Sequence, residues 1–220
     1  MTDARRFDLL VFDWDGTLMD SAGAIVASVQ AACRDLGLPE PSDEAARYVI
    51  GLGLSEALAV LVPQLPLHRR AELVERYRSH FLARYPGIAL FEGARETIEA
   101  LHAQGYRLAV ATGKSRRGLS RALETTGLAR YFHGSRCADE CFSKPHPAML
   151  HELLEEFGVE PGRALMIGDT VHDLQMARNA GVAALAVAYG AHPKPTLMAL
   201  EPLACVDSLG ELRRWLATHA

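Results

Sequence analysis

The residues best suited to do chemistry fall in four short stretches. Asp13-Trp14-Asp15-Gly16-Thr17-Leu18-Met19-Asp20-Ser21 sets two carboxylates two residues apart, directly after the apolar run Leu9-Leu10-Val11-Phe12. Met166-Ile167-Gly168-Asp169 leads to a second acidic residue, Asp173, four positions on. Carboxylates are nucleophiles and proton carriers, and as hard oxygen donors they suit Mg²⁺ better than zinc. Between these stretches lie groups that could meet an anion. In Thr112-Gly113-Lys114 a hydroxyl and a free backbone N–H open a helix, which makes an anion cradle. In Ser143-Lys144-Pro145-His146-Pro147 two prolines stiffen the loop from which Lys144, a compact positive charge, projects. Singly, each has a plainer reading: a turn, a surface lysine, a helix-start carboxylate. Together they describe phosphoryl transfer assisted by a divalent cation.

These groups need a scaffold that brings them to one place. The run ending at Phe12 reads as a buried strand, and further strands are expected at 107–111, 164–167 and 183–187. Helices alternate with them at 94–104, 115–126, 147–157 and 171–180. This alternation predicts an α/β fold: a doubly wound, Rossmann-like parallel sheet with helices on both faces. Ligands bind such sheets at the carboxyl ends of the strands, where the chemical groups above are expected. Between residues 20 and 87 only helical periodicity is found, at 25–36, 43–49, 55–61 and 67–85. In the last of these, Val74, Tyr77, Phe81 and Tyr85 form one apolar stripe. The expected organisation is a catalytic core of residues 1–19 and 88–220 with an all-helical cap inserted at 20–87.

Composition bounds the function. With 49% hydrophobic and 23% charged residues, the 220-residue chain can bury a sizeable core. A net charge of −4 without a clustered basic surface argues against a nucleic-acid partner. No apolar run is long enough for a membrane span or a secretory signal, so a cytoplasmic protein is expected. Cys33, Cys137, Cys141 and Cys205 are too scattered for a disulfide framework, and reduced thiols are expected rather than a zinc site built with His133 and His146.

In their order (Asp-x-Asp, Thr, Lys, Gly-Asp-x-x-x-Asp) these residues resemble the four motifs of the haloacid dehalogenase-like hydrolases, from residue 13 to residue 181. The resemblance implies a role for each. Asp13 would be the nucleophile that forms an aspartyl-phosphate. Asp15 would protonate the leaving group and then activate water, its backbone carbonyl lying on the metal. Thr112 and the Gly113 N–H would hold phosphoryl oxygens, and Lys144 would neutralise them and orient Asp13. Asp169 would bind Mg²⁺ directly, with Asp173 a ligand through water or a support for Lys144. His172 falls at a variable position and receives no role. Within the family the chain is most similar to phosphoglycolate phosphatases, through the first motif, Gly51-Leu52-Gly53 and Tyr189-Gly190. That likeness implies hydrolysis of a small-molecule phosphate monoester by a monomer or homodimer, with Arg47 meeting a substrate carboxylate. The alternatives are a phosphomutase of the same family and a phosphoacceptor domain of the receiver type.

Overall fold

The computed structural model describes residues 5–220. Six strands form one sheet in the order β3-β2-β1-β4-β5-β6, every pair parallel. They are β1 (Leu9–Phe12), β2 (Arg107–Thr112), β3 (Gly134–Cys137), β4 (Ala164–Gly168), β5 (Ala183–Val187) and β6 (Cys205–Val206). Between β1 and α5 (Ala94–Ala103), the helix that leads into β2, four further helices are inserted: α1 (Ala22–Asp35), α2 (Asp43–Tyr48), α3 (Leu54–Leu61) and α4 (Leu67–Arg84). The rest alternate with strands: α5, α6 (Arg116–Thr126), α7 (Ala148–Phe157), α8 (Val171–Asn179), α9 (Lys194–Met198) and α10 (Leu209–His219).

The strand sequences explain the layering. Because successive side chains point to opposite faces, Leu10 and Phe12 pack with Ile98 of α5 and Leu212 of α10, while Leu9 and Val11 pack with Leu150 of α7 and Met176 of α8. A strand covered on both faces must be apolar throughout, which is why β1 and β4 read as unbroken apolar runs. The edge strands lack that signal and were not expected from the sequence. Gly134-Ser135-Arg136-Cys137 is mostly half-buried and has no apolar alternation, and β6 is two residues long.

The helices α1–α4 carry a core of their own, in which Val26, Val29 and Cys33 meet Ala46, Leu58 and Leu73. They join the sheet through two adjacent segments. Asp20 N donates to Ala89 O and Phe91 N to Leu18 O, each at 2.9 Å. The chain thus leaves and returns through one narrow, hydrogen-bonded neck.

Candidate active site

The strands β1 and β4 are neighbours at the point where the strand order reverses, and Asp13 and Asp169 sit just past their carboxyl ends. Asp13 N donates to Ile167 O at 2.9 Å, which ties the two ends together. Lys144, 2% exposed, reaches in from the loop before α7 and bridges Asp13 Oδ1 (2.9 Å) and Asp173 Oδ1 (2.6 Å). Asp13 Oδ1 also accepts from Trp14 N at 2.7 Å, whereas its Oδ2 is buried with no partner.

Each of the other two carboxylates is held by its own local device. Asp173 Oδ2 accepts from Thr170 N (3.1 Å) and Thr170 Oγ1 (2.7 Å), forming a capping box at the start of α8. Asp169 takes Thr17 Oγ1 and Ala191 N, both at 2.7 Å. Its pocket requires glycine: a Cβ on Gly16, which has φ +80°, or on Gly190 would overlap the Asp169 carboxylate. Oxygens of Asp13, Asp169 and Asp173 all lie within 4.8 Å of one another.

Burying these groups has the expected electrostatic result. Loss of water pushes Asp13 up to about 7, against the opposing pull of Lys144, and raises Asp169 well above the usual carboxylate range. Burial alone would lower Lys144, but Asp13 and Asp173 outweigh it and keep the ammonium charged. The site therefore holds more negative charge than one lysine balances.

Asp15 faces the other way. Its carboxylate accepts from Ser21 Oγ at 2.6 Å and pairs with Lys114 Nζ at 2.8 and 2.9 Å, outside the cluster of three. Lys114, ambiguous in the sequence, is thus tied to Asp15. Thr112 is buried at the end of β2, where its Oγ1 accepts from Lys114 N at 3.2 Å. Gly113 lies under the loop at 51–53: a Cβ there would overlap Leu52 O and lie 2.6 Å from Gly51 O. The sequence signal for Thr17 and Ala191 was weak, but the Thr170-x-x-Asp173 capping pattern was legible.

Arg47 is half-buried in the last turn of α2 and does not line the cavity above Asp13 and Asp15. The end of α2 docks on the core instead. Helix ends leave carbonyls without partners, and Tyr48 O accepts from Nε2 of both His172 (2.8 Å) and His192 (3.1 Å). The Tyr48 ring stacks on His192, with centroids 5.5 Å apart. Burial lowers both imidazoles, so they serve as neutral donors at neutral pH. His172 is therefore a docking residue.

The thiols form no competing site. Burial pushes Cys137 up to about 12 and Cys141 up to about 11. Cys137, Asp139 and Glu140 lie close together, but Arg116 occupies both carboxylates.

Above Asp13 and Asp15 lies a cavity of about 810 Å³ between the helices α1–α4 and the strand ends. Tyr77, Phe81 and Tyr85, the apolar stripe of α4 and the turn after it, line this cavity while also packing against the cores beside it, Tyr77 on that of α1–α4 and Phe81 and Tyr85 on that of the sheet.

A doubly wound sheet carrying a buried, unpartnered carboxylate oxygen, a buried lysine and an acidic cluster at its switch point is built as a hydrolase of the phosphoryl-transfer type is. Residues 10–187 match the family model for haloacid dehalogenase-like hydrolases, and the chain belongs to that family. It is 38% identical over 211 residues to a probable phosphatase IndB of Dickeya dadantii, covering 93% of this chain and 91% of that one. It is 33% identical to a phosphoglycolate phosphatase of Agrobacterium fabrum, covering 96% and 93%. A crystal structure of a predicted phosphoglycolate phosphatase from Haemophilus somnus superposes with a TM-score of 0.85 at 28% identity, covering 96% of this chain and 99% of that one. Among the described residues no helix is long and apolar enough to cross a membrane.

Proposed function

We propose that this protein is a Mg²⁺-dependent phosphatase that cleaves a small-molecule phosphate monoester through an aspartyl-phosphate on Asp13. The observation that carries this reading is Asp13 Oδ2, a buried carboxylate oxygen with no partner, beside Lys144 and at the floor of a cavity. Such an orphaned atom is costly unless a ligand completes it.

The residues fit a magnesium ion. Asp13, Asp169 and Asp173 supply an oxygen-only donor set with excess negative charge, and the Asp15 backbone carbonyl would complete it. Bound there, Mg²⁺ would offset the repulsion between the Asp13 carboxylate and a phosphate dianion.

The chain's own residues divide the remaining work. Asp13 Oδ2 attacks phosphorus, and the bond from phosphorus to the ester oxygen breaks. Asp15 gives its proton to the departing alkoxide, then takes one from the water that attacks the aspartyl-phosphate. That second attack breaks the bond from Asp13 oxygen to phosphorus and releases inorganic phosphate. Thr112 and the Gly113 N–H hold phosphoryl oxygens, while Lys144 keeps Asp13 oriented and partly neutralised. Residues 20–87 act as a cap that closes the site from water and selects the leaving group. Phosphoglycolate, the substrate in the names of the relatives, is the first natural compound to test.

Hydrolysis of p-nitrophenyl phosphate should require Mg²⁺ and vanish with EDTA. Acid-quenched protein should retain label from a radioactive phosphate substrate, and Asp13→Asn should lose both label and turnover. Metal-independent turnover, or labelling of Asp13→Asn, would overturn the reading.

A further inference from the structure

The cap is already seated on the core. Gly53 N donates to Ser143 Oγ at 2.7 Å, the backbone of Gly51 and Leu52 rests on Gly113, and Tyr48 O holds His172 and His192. The volume of about 810 Å³ is therefore that of a docked cap, which has no further room to close along this edge. At roughly 30 Å³ each, some two dozen waters would fill it. A two-carbon acid and its phosphate would leave most of that space wet, whereas cavities of this size ordinarily bury a much larger ligand.

The walls indicate what fits. Tyr77 and Phe81 stack at 5.9 Å and 16°, and Tyr85 meets Phe81 edge-on at 6.0 Å. Val29 and Ile50 line the same cavity. The Tyr85 hydroxyl is buried beside the Thr125 side chain without a well-formed hydrogen bond, in a residue 9% exposed, and it lies within the fields of both Asp15 and Arg121. Arg121 lines the same cavity and has no carboxylate partner among the described residues. Burial raises the Tyr85 phenol, so it stands as a neutral donor at neutral pH.

We infer that the substrate is the phosphate monoester of a ring-bearing alcohol, its ring against Tyr77 and Phe81 and its far-side oxygens accepting from Tyr85 and Arg121. This rests on the phosphatase reading above and adds the leaving-group class. Aromatic faces and apolar side chains suit a ring, and the two unused donors call for acceptors on it.

The test compares kcat/KM for 2-phosphoglycolate, glycerol 3-phosphate, ribose 5-phosphate, pyridoxal 5′-phosphate and uridine 5′-monophosphate, with p-nitrophenyl phosphate as a reference. At least one of the three ring-bearing metabolites should exceed 2-phosphoglycolate by tenfold or more. Tyr85→Phe and Arg121→Ala should each narrow that preference about five- to tenfold, through KM. Tyr85→Phe should do so without lowering Tm, because it removes a hydroxyl without a well-formed hydrogen bond. If 2-phosphoglycolate equals or exceeds every ring-bearing compound, or if neither variant changes the preference, the inference is overturned while the phosphatase reading stands. No turnover of any compound, p-nitrophenyl phosphate included, would instead defeat that reading.

Discussion

Among the described residues, two buried side-chain polar atoms lack a well-formed hydrogen bond, and both belong to residues that line one cavity. Asp13 Oδ2 is in the floor, ringed by Lys144, Asp169 and Asp173, which are themselves tied to Thr17, Thr170 and the Ala191 N–H. Tyr85 belongs to the roof, its ring edge-on to Phe81 and its hydroxyl beside Thr125. The floor is a charged network in which almost every position is already fixed, so it suits one reaction geometry. The roof is mostly shape and apolar surface with a few free donors, so it can be altered without disturbing the floor. In the proposed reading, the first orphan is where a bond is made, and the second is where a choice between substrates is made.

Removing the floor's cation is the severest way to break this contrast. Lys144→Met would leave Asp13 and Asp173 facing each other with no charge between them. Taking one partner from a buried ion pair typically costs 3–5 kcal/mol, and losing a single transition-state charge contact lowers kcat about 10²–10³-fold. We expect both losses, read as Tm and as kcat on any accepted substrate. A variant with wild-type kcat would mean that the floor is structural only.

The second test asks whether the floor's charge excess is filled by metal. Asp13 and Asp169 are raised in the folded protein, so the native state binds protons that the unfolded chain has lost. Their contribution to stability is fully present below the ordinary carboxylate value near 4; that of Asp13 is lost as pH rises through about 7, and that of Asp169 as pH rises through its own raised value. A cation occupying the same oxygens displaces those protons, so it should stabilise more strongly at pH 8 than at pH 5.5. Thermal unfolding with and without Mg²⁺ should show a Tm gain several degrees larger at pH 8. An equal gain at both pH values would separate the metal from these carboxylates.

The sequence was most legible where one physical requirement dominates. Strands β1, β2, β4 and β5 announce themselves because burial on both faces demands unbroken apolar runs, and the groups at three of their ends followed. The edge strands β3 and β6 need little burial and left little trace. Residues that act across long chain separations were harder to see. Nothing local to Lys114 shows that it will pair with Asp15, 99 positions away. The stripe of Tyr77, Phe81 and Tyr85 showed correctly as helical periodicity. Periodicity, however, does not distinguish a face packed on protein from one that lines a void. The surroundings of Arg47 were hidden for a related reason: helix phase places it near the end of α2, but the Tyr48 carbonyl and ring decide how that end meets the core.

That docking point supplies the mildest test, because Tyr48 belongs to neither floor nor roof. It is 53% exposed, yet its ring stacks on His192 and meets His172 edge-on. Tyr48→Ala keeps the backbone carbonyl that accepts from both histidines and removes only the ring contacts, worth about 0.5–1.5 kcal/mol per aromatic pair. If the contact holds the cap in place, the substitution should raise KM two- to tenfold for large and small phosphates alike. The preference between them should not move, because no wall of the cavity is changed. A shift in preference would show that the cap's seat and its selectivity are one device rather than two, and the separation of docking from choice would have to be abandoned.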